Sequence, residues 1–317
     1  MFAHISSLQS SGKASDYLLF FLSEVTSWFI FISGYLFYYL ECENFSYRSY
    51  LMRKLKNVIS PYLLFSIAAI ISGLYFSRNV LFDLTQEKFI LWSFLTGGTV
   101  VGPMWFIPMI AIFFFMTPLF NYISRSNLIY YFAIIFLLLS IFSSRPIHNS
   151  NPLLSFFHFL GFYLLGIVAA KSSKFFESLK IYVKLIIMAG SIAVFIFSSI
   201  GYFEGEKQEI GFFESLWVLN YISLGKLALL IGTFFCFEQF FNREKKVLGF
   251  LARISFGLFF IHGFMSLIFN KFFQGLVYDS LLAKIFCEIG IVVLSSILIV
   301  MLLKLVLRKW SRYAIGC

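Results

Sequence analysis

Charge is what this chain has least of. Only 13% of its 317 residues are Asp, Glu, Lys or Arg, against 60% apolar residues, and Phe alone accounts for 45. A soluble domain of this length needs far more polar surface to stay in solution, so that class is excluded. Cysteine is sparse as well: Cys42, Cys236, Cys287 and Cys317 show no metal-ligand or redox spacing and read as small buried thiols. Cys317 is the final residue and cannot begin a prenylation box. There is no phosphate-binding Gly-rich loop, no Gly-x-Ser-x-Gly elbow and no paired metal ligands, so no metal is expected. Ten-residue segments of alternating polarity are missing too, which excludes a transmembrane barrel.

What the chain does have is a recurrence of long apolar runs, near 17–40, 57–76, 104–120, 127–143, 153–170, 181–201, 216–240, 251–270 and 281–307. A hydrocarbon core of ~30 Å takes ~20 helical residues to cross, and lipid offers no partner for an unpaired backbone group. The fold expected is therefore all-α: a polytopic integral membrane helical bundle of about nine transmembrane helices. No connection is long enough for a soluble domain, so residues 1–317 read as a single membrane-embedded domain. The longest connection, 77–103, interleaves Phe82, Leu84, Phe89, Ile90, Trp92 and Phe94 with Asp83, Gln86, Glu87 and Lys88. That mixture predicts a short amphipathic segment lying in the interface. The first run is too long, and lacks the basic leader, to read as a signal peptide.

The net charge of +10 is distributed by topology, which argues against a nucleic-acid partner. Arg48, Arg53, Lys54, Lys56, Arg125, Lys171, Lys174, Lys180, Lys184, Arg243, Lys245, Lys246, Arg253, Lys304, Arg308, Lys309 and Arg312 fall on one set of alternate loops. The opposite loops hold six basic residues and the acidic group Glu204, Glu206, Glu209 and Glu214. The positive-inside rule puts the first set, and the carboxyl terminus, in the cytoplasm. The protein is then expected to be a multi-pass membrane protein with its basic loops facing the cytoplasm. Its amino-terminal stretch, Phe2-Ala3-His4-Ile5, reads like the tail of a preceding helix.

Ionisable groups inside the membrane cost ~3 kcal/mol each on insertion scales and usually face a partner or a wet cavity. Glu24, Lys226 beside Asn220, His158 and His262 all lie within apolar runs. Glu24 and Lys226 read equally as a structural ion pair, and each histidine as a core residue with a satisfied backbone bond. Arg53, Lys54 and Lys56 read as topology anchors touching lipid phosphates, and Trp105 as an interfacial aromatic.

Five short stretches occur in order: Phe29-Ile30-Phe31-Ile32-Ser33-Gly34-Tyr35-Leu36; Arg53-Lys54-Leu55-Lys56 followed by Ser60-Pro61-Tyr62; Met104-Trp105-Phe106-Ile107; Phe159-Leu160-Gly161-Phe162-Tyr163-Leu164-Leu165-Gly166; and Ser255-Phe256-Gly257-Leu258-Phe259-Phe260-Ile261-His262. Together they resemble acyltransferase family 3, the bacterial membrane O-acyltransferases. The resemblance implies ten helices in the full pattern, the first carrying an arginine and then a histidine near its outer end. His4 occupies the histidine's place, and the arginine would fall before Met1. The implication is a polypeptide short of most of its first helix, through a misassigned start or as a decayed, inactive copy. Lys56 stands where the family usually has arginine.

The resemblance implies transfer of an acyl group, commonly acetyl from acetyl-CoA, to a hydroxyl of a cell-envelope glycan or lipid-linked glycan. Arg53, Lys54 and Lys56 would hold the CoA phosphates, His4 would be the catalytic base, and Glu24, Trp105 and His262 would contact substrate. The competing reading is a non-enzymatic flippase for lipid-linked sugars, or a multi-spanning glycan polymerase. A flippase should show an internal repeat, and none is visible. A polymerase should carry a large basic outer loop, whereas 77–103 holds only Arg78 and Lys88.

Overall fold

The computed structural model describes residues 25–76, 85–98, 100–146, 149–204, 212–240, 246–273 and 281–317, together with Tyr17, Phe20 and Phe21. These residues are helical or in short turns, with no strand among them. The helices are α1 (Thr26–Glu41), α2 (Tyr47–Lys54), α3 (Ser60–Phe76), α4 (Gln86–Thr96), α5 (Phe106–Phe115), α6 (Thr117–Ser124), α7 (Leu128–Ile141), α8 (Pro152–Lys171), α9 (Ser173–Ser178), α10 (Ile181–Glu204), α11 (Tyr221–Phe240), α12 (Lys246–Phe273), α13 (Leu281–Leu307) and α14 (Ser311–Ala314).

Every predicted run carries a helix over most of its described part, but the runs differ in reach. Six helices are long and apolar enough to cross a membrane: Tyr47–Leu74, Pro152–Lys171, Ile181–Glu204, Tyr221–Phe240, Leu248–Phe272 and Cys287–Ala314. The apolar pair Gly102–Phe115 and Thr117–Ser124, bent by 55°, makes a seventh if it is one broken span and none if it is a re-entrant loop. The bend has a local cause. Pro118 has no N–H for the Phe114 carbonyl one turn back, and the Thr117 hydroxyl donates to that carbonyl instead at 2.7 Å. α7, with 14 residues, rises only ~21 Å, short of a ~30 Å core. α1 has 16 residues, and residues 18, 19 and 22–24 of its run lie outside the described set. Along α13 the side chains of Leu294, Leu298, Leu302 and Leu305 are each at least 60% exposed, an apolar stripe of the kind that suits a lipid-facing helix.

The connection read as an interfacial segment contains α4. One of its faces is buried through Phe89, Ser93 and Thr96, while Ile90, Leu91, Trp92 and Leu95 are exposed. It ends at Gly97, whose φ of +74° is accessible without strain only to a residue lacking Cβ. Residues 77–84 lie outside the described set.

The chain forms two compact units. One comprises Met1–Leu22, Leu51–Ala111 and Lys245–Cys317; the other comprises Ser23–Tyr50 and Ile112–Glu244. In the second, α8 is the most deeply buried helix, starting where the Asn151 side chain accepts from the Leu153 and Leu154 amides and Pro152 takes the first helical position. A Cβ at Gly34 would collide with the Tyr163 carbonyl, and one at Gly166 with the Phe31 carbonyl, so α1 and α8 meet backbone to backbone. Gly161 does the same toward Phe136 and Leu137 of α7. An aromatic cluster fills the space beside them, with Phe113 to Tyr163 at 4.7 Å, Phe120 to Tyr163 at 4.9 Å and Phe113 to Phe156 at 4.6 Å between ring centres.

In the first unit, Phe65 of α3 stacks on Phe260 of α12 at 4.8 Å with planes 5° apart. α12 and α13 pack with Ile254, Ile261, Val300 and Ile315 buried between them. The end of the chain folds back against the same unit. Ser60 donates its hydroxyl to the Tyr313 carbonyl at 3.1 Å. A Cβ on Gly257 would lie 2.8 Å from the Cys317 sulfur. The expectation of buried thiols holds for Cys42 but not for Cys287, which is exposed on α13; Cys236 and Cys317 are partly covered. Cys287 sits on a helix that is apolar on all sides, where no sequence pattern says which way a residue faces.

Candidate functional site

Arg53 and Lys54 close α2, and Lys56 lies in the π-helical turn Leu55–Ile59 that joins α2 to α3. That turn precedes Pro61, which cannot donate to the Asn57 carbonyl, so the wider turn relieves the conflict between ring and backbone. Arg53 and Lys56 are exposed and Lys54 is half-buried, so three cations crowd one end of a long apolar helix. Tyr62, one to two turns deeper, is buried and donates its hydroxyl to the Phe94 carbonyl at 2.6 Å, tying α3 to α4.

Trp105 sits in the 3-10 turn Gly102–Trp105 and is buried within the protein, edge-on to Phe106 with ring centres 6.5 Å apart. The element that carries His262 packs directly on this turn. A Cβ on Gly263 would lie 2.6 Å from Val101 and 3.3 Å from Pro103, and Phe106 meets Phe259 at 5.7 Å. His262 itself is 7% exposed, and its Nδ1 lies 2.9 Å from the Leu258 carbonyl one turn back. A carbonyl can only accept, so Nδ1 carries the hydrogen, and a neutral ring then presents Nε2 as its basic atom. The structure thus brings Trp105 and His262 onto touching elements of one unit. Phe65 of α3 meets Phe260 and Phe264, the residues two before and two after His262, and so marks its level on α3. It follows Lys56 by nine residues, so the basic turn lies ~14 Å along the helix axis from the Phe65–Phe260 stack. His4 and Glu24 lie outside the described residues.

The second unit holds the other intramembrane histidine. His158 is fully buried, with Nδ1 3.2 Å from the Ser143 hydroxyl and Nε2 3.4 Å from the Ser223 hydroxyl. Ser143 donates its single hydroxyl hydrogen to the Leu139 carbonyl at 2.6 Å, so His158 Nδ1 is the donor to Ser143. Around it, the Asn220 amide donates to the Ser143 carbonyl at 2.9 Å, the Asn220 backbone N–H to the Ile141 carbonyl at 2.7 Å, and the Ser144 N–H to the Ser215 hydroxyl at 2.6 Å. This is a closed junction pinning the end of α7 to α8 and to the start of α11. Lys226 is 1% exposed on α11. Its proposed partner, Glu24, is the residue outside the described set.

Two features were missed from sequence. Lys184 of α10, counted among the cytoplasmic cations, is 5% exposed and pairs with Glu238 of α11 at 2.8 Å. Glu288 is 2% exposed on α13. Both acids stand inside apolar runs, and that position was the available signal.

No curated protein and no solved structure matches the chain. A family model described as an acyltransferase domain, that of acyltransferase family 3, matches residues 1–305, leaving only the end of α13 and the folded-back tail beyond it. The matched span takes in the basic turn, the tryptophan turn and both buried histidines, on helices with lipid-facing apolar stripes. The chain therefore belongs to acyltransferase family 3 and is an integral membrane protein carrying an acyltransferase domain.

Proposed function

We propose that this protein is a membrane O-acyltransferase that moves an acyl group, acetyl by preference, from acyl-CoA to a hydroxyl of a cell-envelope polysaccharide such as O-antigen, capsule or exopolysaccharide. The observation that carries the reading is the family match across residues 1–305. The placement of a basic turn and a buried imidazole on elements of one compact unit supports it. In this reading residues 1–317 act as one acyltransferase domain in the inner membrane, with the basic loops in the cytoplasm where acyl-CoA is available.

Arg53, Lys54 and Lys56 hold the CoA phosphates as cationic donors. The pantetheine arm spans the ~14 Å from that turn to the level of Phe65. His4 is the base: it takes the proton of the sugar hydroxyl as the oxygen attacks the thioester carbonyl. The C–S bond breaks, the ester forms, and the proton passes to the departing thiolate to give CoA. Glu24 orients the base or touches substrate, Trp105 offers a face to a sugar ring, and His262 bonds substrate through Nε2. A flippase or polymerase would move or join glycans without forming an ester.

The deciding measurement is acetate released by mild alkali from envelope glycans of cells with and without the gene. Gene-dependent acetate supports the transferase; equal acetate with altered glycan export or length supports the alternative. His4→Ala should abolish the acetate while leaving the amount of membrane protein unchanged, and undiminished acetate would remove His4 from the mechanism.

A further inference from the structure

Two cations and an apolar floor meet between α12 and α13, away from the basic turn. A cavity of about 330 Å³ is lined by Phe250, Arg253 and Ile254 of α12 and by Met301, Lys304 and Leu305 of α13. Each helix contributes the same i, i+3, i+4 triplet, one face of a helix, with a cation at the middle position. The depths match. Gly257 packs on Val300, and Arg253 lies four residues before the first while Lys304 lies four after the second. In an antiparallel pair this puts both cations at one level, ~6 Å from that contact toward the basic end of the molecule. Two like charges flanking one groove repel each other, and the lining holds no acidic residue to offset them.

We infer that this groove binds one anionic phospholipid, its phosphate between Arg253 and Lys304 and an acyl chain lying over Phe250, Met301 and Leu305. Charge complementarity selects the headgroup, because the inner leaflet supplies anionic phosphate at the depth where positive-inside residues sit. The apolar floor selects an amphiphile over a free phosphate. Arg253 contributes a planar fork suited to a phosphate and Lys304 a point charge, so the pair tolerates headgroups of different shape. The site is independent of the acyl-transfer reading, since neither cation belongs to the Arg53–Lys56 turn.

The test uses the full chain in nanodiscs of phosphatidylcholine carrying a minor fraction of phosphatidylglycerol, with retained lipid counted by native mass spectrometry after gentle release. Wild type should retain one phosphatidylglycerol in preference to phosphatidylcholine. Arg253→Gln with Lys304→Gln should weaken that preference roughly thirtyfold. Met301→Trp, which fills the floor and leaves both charges, should also release the lipid, so the proposal stays testable if the charge variant fails to fold. Equal retention in wild type and in both variants would overturn the site. So would displacement of the lipid by millimolar inorganic phosphate or CoA, which would mark a soluble-phosphate pocket.

Discussion

His158 and His262 are the same residue in two apolar helices, and the protein treats them differently. His158 has both ring nitrogens within reach of serine hydroxyls on other segments, inside the helix whose glycines touch α1 and α7. His262 has its Nδ1 bonded to the Leu258 carbonyl of its own helix, α12, whose neighbours include the turn carrying Trp105. In lipid an imidazole must be accounted for, and there are two ways of doing it. One builds it into a hydrogen-bonded joint that holds helices together; the other fixes one nitrogen locally and leaves the ring's basic atom oriented by the fold. The first commits the histidine to stability; the second is the arrangement of the residue proposed above to meet substrate.

The largest effect expected is on the joint's scaffold. Gly166→Leu forces α8 away from the Phe31 carbonyl of α1 and should cost about 3 kcal/mol. It should read out as loss of monodisperse protein in detergent; normal elution and melting would break the close-packed account of the second unit. Next comes a matched pair of histidine variants. His158→Ala removes the ring bonds to the Ser143 and Ser223 hydroxyls and empties a buried site, and should lower stability by about 1–3 kcal/mol, with activity per folded molecule retained. His262→Ala should show the reverse: a near-unchanged melting temperature, and kcat/KM for the glycan acceptor lower by about tenfold. Exchanged results would invert the comparison. Lys184→Ala leaves the mostly covered Glu238 without its cation and should cost about 1–2 kcal/mol, largely restored by adding Glu238→Ala. Differential scanning fluorimetry of the single and double variants measures that coupling. The smallest effect expected is Tyr62→Phe, about 1 kcal/mol for one hydrogen bond between α3 and α4, with no change in KM for acyl-CoA.

Much of the fold was legible in the residues. The apolar runs marked the helices, and the basic residues at their ends supplied an expected orientation. Run length said less about crossings: α7 is apolar throughout and still has 14 residues, and α5–α6 is interrupted by Pro118. The motif glycines were readable as a pattern but not as a cause; Gly34, Gly161 and Gly166 are there because backbones of other helices touch them. Of the candidate site, the contact between the turn of Trp105 and the helix of His262 needed the packing of Gly263 on Val101 and Pro103. The closed joint at His158 required Ser143 and Ser223, which lie 15 and 65 residues away in the chain.

By itself, the sequence determined the solvent this chain folds in, its helices, the expected direction of its basic loops and the family it resembles. These are properties of stretches of chain: the free energy of placing twenty apolar residues in hydrocarbon, or a lysine at its edge, hardly depends on the neighbouring helix. Tertiary structure alone decided which histidine is locked and which is oriented, which lysine meets Glu238, and that Arg253 and Lys304 share one depth beside a common groove. A helix that is apolar all round carries no mark of its facing direction, so rotation and depth are settled only when backbones pack.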